Sequence, residues 1–174
     1  MRLVIVGNSG SGKTTLARQL AARFNSLRLE LDEIFWAPGE IAEAREPAAV
    51  IADLEVFLAH HPSWIVEGCY GEMAGRAAER ANALLLLDPG LEVCLANTEA
   101  RPWEPEKYAS AADQQQLLPA LRDWVRAYYQ RADACSWAAH RALFAAYPGR
   151  KLHLQSLDDA ADRLATWLAQ GQAA

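Results

Sequence analysis

Residues 7 to 14 read Gly-Asn-Ser-Gly-Ser-Gly-Lys-Thr, and this stretch constrains the fold more than any other. It matches G-x-x-x-x-G-K-[ST] at every fixed position. Leu3 to Val6 before it form a short apolar run rich in branched residues, which reads as a buried strand. Leu16, Leu20 and Phe24 after it stand at helical spacing and predict a helix over 14–24. Strand, glycine turn and helix in that order make a phosphate cradle. The glycines let the backbone fold into a nest of N–H groups aimed at phosphate oxygens. Lys13 adds positive charge between the β- and γ-phosphates, and the Thr14 hydroxyl suits Mg²⁺. The positive end of the following helix faces the same anion. A nucleoside triphosphate is the ligand this implies, with contacts expected from Gly7, Ser9, Gly10, Ser11, Gly12, Lys13, Thr14 and Thr15.

Beyond the loop, strands alternate with helices. Leu27–Leu31 alternates apolar and polar and predicts a second strand, followed by a break at Pro38-Gly39. A helix is expected from about 46 to 60, with Pro47 in its first turn and an apolar stripe through Val50, Leu54 and Leu58. Residues 63–68 and 84–88 read as the third and fourth strands. Residues 91–100 read as a helix, and 101–110, with two prolines, as a loop. Leu117, Leu121, Trp124 and Tyr128 mark a further helix face, and another helix is expected over 133–146. Lys151–Ser156 reads as a fifth strand, and Leu157, Ala161, Leu164 and Leu168 as a last helix. The class this predicts is α/β, in three layers, with a parallel sheet covered by helices on both sides. No repeat or linker divides the 174 residues, so one domain is expected over 1–174, with a lid around 98–115.

The formal charge of 17 − 22 = −5 opposes binding to nucleic-acid phosphates, and no Lys/Arg run offsets it. Nucleic acid is therefore not expected as the main partner. The cysteines, Cys69, Cys94 and Cys135, show no CxxC spacing and fit reduced thiols of a cytoplasmic protein. The N-terminus runs straight into a strand, so no secretory leader is expected. The apolar run Ala83–Leu87 is far too short to cross a membrane. Nothing in the pattern sets an oligomeric state.

Ligands of open α/β sheets bind at the carboxyl ends of the strands. At the end of strand two, Asp32 is placed to orient an acceptor hydroxyl and accept its proton, or to hold a metal-bound water. A helix N-cap or turn is its other reading. Trp36 walls a substrate pocket or packs in the core. At the end of strand three, Glu67 suits a carboxylate near Mg²⁺, Gly68 allows close backbone approach, and Tyr70 offers a ring and a hydroxyl. Asp88, in Asp-Pro-Gly, reads as a turn. A water-excluding lid needs a cation for transferred charge. Arg101 is the strongest candidate, Lys107 a weaker one, and Arg76 is placed to meet an acceptor anion. Arg122, Arg126, Arg131 and Arg141 read as solvated or paired. His60-His61 suits a helix C-terminus.

The segments VIVGNSGSGKTTLARQLA, LELDEIFWAPG, SWIVEGCY and ALLLLDPGLEVCL together resemble the adenylate-kinase-related P-loop proteins. Within these the chain looks most like the DNA-topology-modulation, or FlaR-like, subgroup. Shikimate and gluconate kinases are more distant relatives by the same resemblance. It covers residues 1 to about 101 and implies a five-stranded sheet of order 2-3-1-4-5, ATP with Mg²⁺, and an acidic residue at Asp32 that meets the acceptor hydroxyl. The chain departs from the subgroup at Glu40, Glu67 and Asn97, and only Arg101 remains of several expected arginines. The function expected is ATP-dependent phosphoryl transfer to a hydroxyl or phosphate of a small-molecule acceptor. The alternative is an ATP-binding regulatory protein with slow hydrolysis and a macromolecular partner.

Overall fold

The structure, a computed structural model, describes residues 1–37, 40–105, 107–158 and 160–170, and of residues 40–42 the backbone only. Pro38-Gly39, expected to break the chain, lies outside the described residues. Strand β1 (Arg2–Gly7) leads into the glycine loop and helix α1 (Lys13–Phe24). Then come β2 (Leu27–Glu30), α2 (Leu31–Phe35), β3 (Trp36–Ala37), β4 (Glu40–Ala44) and α3 (Pro47–His60). β5 (Trp64–Gly68), α4 (Gly71–Ala78), β6 (Ala83–Leu87), α5 (Leu91–Glu99) and α6 (Ala111–Arg126) follow. A short 3₁₀ turn, α7 (Trp137–Ala146), β7 (Arg150–Leu154) and α8 (Ala160–Gln170) complete the described order.

Five strands pair in parallel in the order β2-β5-β1-β6-β7. Leaving the separate β3–β4 hairpin out of the count, this is the expected 2-3-1-4-5. The central strands are apolar on both faces because both faces are covered. Alternation along each strand divides the core in two. Val4, Val6, Val66, Leu84 and Leu86 pack with Val50, Leu54 and Leu58 of α3 and Met73, Ala74 and Ala77 of α4. Leu3, Ile5, Ile65, Leu85 and Leu87 pack with Leu16 and Leu20 of α1 and Leu164 and Leu168 of α8. Among the described residues no helix is long and apolar enough to cross a membrane.

Four details differ from the sequence reading. β2 stops at Glu30, and Leu31 opens a five-residue helix, so Asp32 stands in a first helical turn and not on a strand. Asp32 and Glu33 suit that positive helix end, and Leu31 is fully buried. The β3–β4 hairpin is too short to show an alternating pattern. Helix α4 starts at Gly71 in a stretch to which the sequence pattern assigned no element, and its Met73, Ala74 and Ala77 are buried. Helix α7 begins at Trp137 instead of near 133, because the Ser136 hydroxyl caps it by accepting from the Ala139 N–H at 3.1 Å. The His60 ring bonds the Val56 carbonyl at 2.8 Å in the last turn of α3, as suits a helix C-terminus.

Candidate functional site

The glycine loop joins the buried β1 to α1, so its backbone amides lie at the N-terminus of a helix anchored in the core. Gly10 has φ +73° and Gly12 φ +90°, in the left-handed region that glycine enters freely. A Cβ on Gly10 would collide with the Cys94 carbonyl oxygen and come within 2.6 Å of Thr98 Oγ1. The loop is held from the far side as well. Asn97 donates to the Gly10 carbonyl at 2.8 Å, and Arg101 Nη2 donates to Ser9 Oγ at 3.1 Å. Buried Asn8 donates to the Val125 carbonyl at 3.1 Å, fixing the loop to the end of α6. Lys13 folds back over the nest and donates to the Asn8 carbonyl at 2.7 Å. Gly10→Ala forces both a left-handed alanine and a backbone collision. It is expected to lower stability by roughly 1–3 kcal/mol and to abolish saturable nucleotide binding, as read by denaturation and by titration calorimetry.

The sheet register supplies the second half of the site. Glu30 of β2 pairs with Glu67 of β5, while Val6 pairs with Gly68, so two carboxyl groups stand beside the glycine loop. Asp32, one residue into α2, joins them. Its Oδ1 accepts from the Tyr70 hydroxyl at 2.7 Å, and its Oδ2 lies 3.0 Å from Lys107 Nζ. The Tyr70 ring stacks on Phe35 with centroids 4.2 Å apart. Lys107 also pairs with Glu30, and with Glu104 at 3.4 Å. Arg101 reaches Glu104 at 3.2 Å, and Gln114 ties the segment to α6 by bonds to Pro102 and Glu104, both at 2.9 Å. One cavity of about 660 Å³ joins the loop to this acidic corner.

Burial raises the Asp32 carboxyl, but the Lys107 charge and the Tyr70 hydroxyl outweigh it and hold the group below its ordinary value. It is ionised and anchored at neutral pH. Glu67 is the opposite case. Burial pushes it up to about 7; Lys13 opposes this, Glu30 adds to it, and the Thr14 hydroxyl lowers it. Its Oε1 has no hydrogen-bond partner among the described residues, and Arg28 lies 3.6 Å away. The unfolded carboxyl titrates near 4.5, so the folded state holds an extra proton between about 4.5 and 7. Stability from this group falls as pH rises through that window. Glu67→Gln is therefore expected to be more stable than the parent at pH 8, by on the order of 3 kcal/mol, with the difference vanishing near pH 4.5. Urea denaturation at the two pH values checks it.

The cavity brings together Ser9, Gly10, Gly12, Lys13, Thr14, Thr15, Asp32, Glu67, Gly68 and Arg101 from the sequence reading. Gly7 and Ser11 are buried beneath the loop and do not line it. Tyr70 acts on the site through Asp32. Trp36 leaves the cavity wall to others: it is half-buried, edge-on to Phe35 at 4.7 Å, where β3 begins. Arg76 is exposed on α4 and takes no part in the lining, because Met73, Ala74 and Ala77 claim the inward face of that helix. The sequence reading underrated Lys107 and missed Glu104, Trp103 and Cys69, which also line the cavity. His140 positions the exit of β5: its Nε2 lies 2.8 Å from the Cys69 carbonyl, which can only accept, so Nδ1 accepts from Tyr128 at 2.7 Å. Burial lowers His140 to about 4, keeping it neutral.

The chain matches no protein-family model and no curated protein. Its fold does match solved structures. A shikimate kinase from Acinetobacter baumannii in complex with shikimate aligns with TM-score 0.53 and 18% identity, over 97% of this chain and 90% of that one. A shikimate kinase from Bacteroides thetaiotaomicron aligns with TM-score 0.57 and 16% identity, over 97% and 98%. A gluconokinase from Sinorhizobium meliloti 1021 aligns with TM-score 0.54 and 14% identity, over 97% and 91%. The fold is that of the P-loop kinases.

Proposed function

We propose that this protein is an ATP-dependent kinase of the adenylate-kinase-related group, of the DNA-topology-modulation type, moving a γ-phosphoryl group to a hydroxyl or phosphate of a small acceptor. One observation carries the reading. The glycine loop and an anchored, ionised Asp32 face the same cavity, so a phosphate donor and a second molecule have adjoining places. The backbone amides of the loop and Lys13 bind the triphosphate. Thr14 and the unpartnered oxygen of Glu67 fit an Mg²⁺ held chiefly by phosphates and water. When bound, that ion neutralises charge on the phosphate oxygens. Asp32 orients the acceptor hydroxyl and takes its proton. Arg101, tied to Ser9 at the edge of the loop, steadies charge on the transferred group. Residues 98–115 act as the lid that excludes water.

The test is transfer of label from [γ-³²P]ATP across a panel of nucleosides, nucleotides, sugars, sugar acids and shikimate. Label in an acceptor supports the reading. Background turnover with every acceptor, together with tight ATP-dependent binding of duplex DNA by anisotropy, would favour the regulatory alternative.

A further inference from the structure

Two of the three cysteines meet where β5 ends. Cys69 follows Gly68 and lines the cavity, while Cys135 comes from the turn before α7. Their side chains share a hydrogen bond, Cys69 donating, and both thiols are free and half-buried. The backbone fixes this meeting from several sides. The Gly71 N–H donates to the Ala134 carbonyl at 2.9 Å, and a Cβ on Gly71 would come within 2.4 Å of that oxygen. His140 donates to the Cys69 carbonyl at 2.8 Å. Arg131 donates to the Cys135 carbonyl at 2.7 Å, and the Cys135 N–H donates to Asp133 Oδ1 at 2.8 Å. Two segments are thus clamped together where each carries a thiol, and neither has to travel for the sulfurs to bond. Among the described residues no third ligand joins the pair to form a metal site. Donation from Cys69 lowers the Cys135 thiol below its ordinary value. Burial opposes this and Arg131 adds to it, so Cys135 supplies the thiolate.

We propose that Cys69 and Cys135 form a reversible disulfide on exposure to a peroxide, and that this bond slows phosphoryl transfer from the acceptor side. The loss of transfer rests on the kinase reading above. The Cys135 thiolate attacks one oxygen of hydrogen peroxide and the O–O bond breaks. The hydroxide released takes the proton that the thiol shed, giving a sulfenic acid and one water. The Cys69 sulfur then attacks the sulfenic sulfur, the S–O bond breaks, and the hydroxyl leaves with the Cys69 proton as a second water. The sulfurs lose two electrons in all, and the peroxide takes them up. A disulfide shortens the sulfur–sulfur contact to about 2 Å, drawing residues 68–70 toward the turn before α7. Gly68 packs on Leu31 of α2, where an added Cβ would come within 2.8 Å of the Leu31 Cβ, and Tyr70 holds Asp32 at 2.7 Å. Both contacts carry the shift to Asp32, while the glycine loop is held by β1 and α1.

The test uses the full chain, treated with hydrogen peroxide and then with dithiothreitol. A peptide map without reduction is expected to join the Cys69 and Cys135 peptides, with Cys94, buried in α5, still a free thiol. Transfer from [γ-³²P]ATP is expected to fall on the order of 10²-fold and to return with dithiothreitol, ATP affinity changing far less. Cys135→Ser, outside the cavity lining, is expected to transfer as the parent does and to keep that rate under peroxide. Both cysteines recovered as free thiols, or oxidised separately without joining, would overturn the inference. A disulfide with transfer unchanged overturns the link to the acceptor side, and so does an equal loss in Cys135→Ser. If the reduced chain transfers to no acceptor, the kinase reading fails on its own, and the peptide map still decides the disulfide.

Discussion

Replacing Asp32 by Asn is expected to lower phosphoryl transfer roughly 10²- to 10⁴-fold, with ATP affinity changed far less. The substitution keeps the shape and a carbonyl oxygen for the Tyr70 hydroxyl, so the stack of Tyr70 on Phe35 survives. It removes the negative charge that attracts the acceptor proton. Lys107 loses one of three acidic partners and retains Glu30 and Glu104. The charge lost is one that Lys107 and the Tyr70 hydroxyl hold ionised against burial, in the wall of the cavity. Single-turnover transfer, with circular dichroism to confirm folding, reads the effect. A loss under tenfold would remove Asp32 from the reaction.

Lys13→Met is expected to cost about 10³-fold in transfer or more and to weaken ATP binding as well. Methionine fills the volume of the buried stem without its charge, so the fold is retained. The Lys13 ammonium is 2.7 Å from the Asn8 carbonyl, within the nest itself, and Lys13 lines the cavity together with Arg101. ATP titration and transfer measured on the same preparation separate the binding loss from the rate loss. Retention of transfer within tenfold would place the triphosphate elsewhere.

The legible parts of the chain were those whose signal is local. Leu3–Val6, the glycines and the helical spacing of Leu16 and Leu20 specify strand, nest and helix without help from distant residues. The apolar ends of β5 and β6 are likewise visible as runs. Asp32 was legible as lying beside the glycine loop, where it lines the cavity, though not as part of a helix, since the end of a four-residue strand carries no periodicity that separates the two. Lys107 is 75 residues from Asp32 in sequence, and only the packing of the segment between α5 and α6 brings them together. The pairing of Glu30 with Glu67 follows from strand register, which local pattern does not carry. Arg76 failed for the converse reason: its charge invited a role, while the apolar face of α4 fixed its direction outward.

³¹P NMR of ATP turnover, with the nucleosides, nucleotides, sugars, sugar acids and shikimate of the acceptor panel present and absent, tests the assignment most directly. A kinase with its acceptor bound beside Asp32 gives a new phosphomonoester resonance that grows as the γ-phosphate signal falls, and Asp32→Asn suppresses both. Inorganic phosphate released at one rate with or without any acceptor, in parent and variant alike, contradicts it.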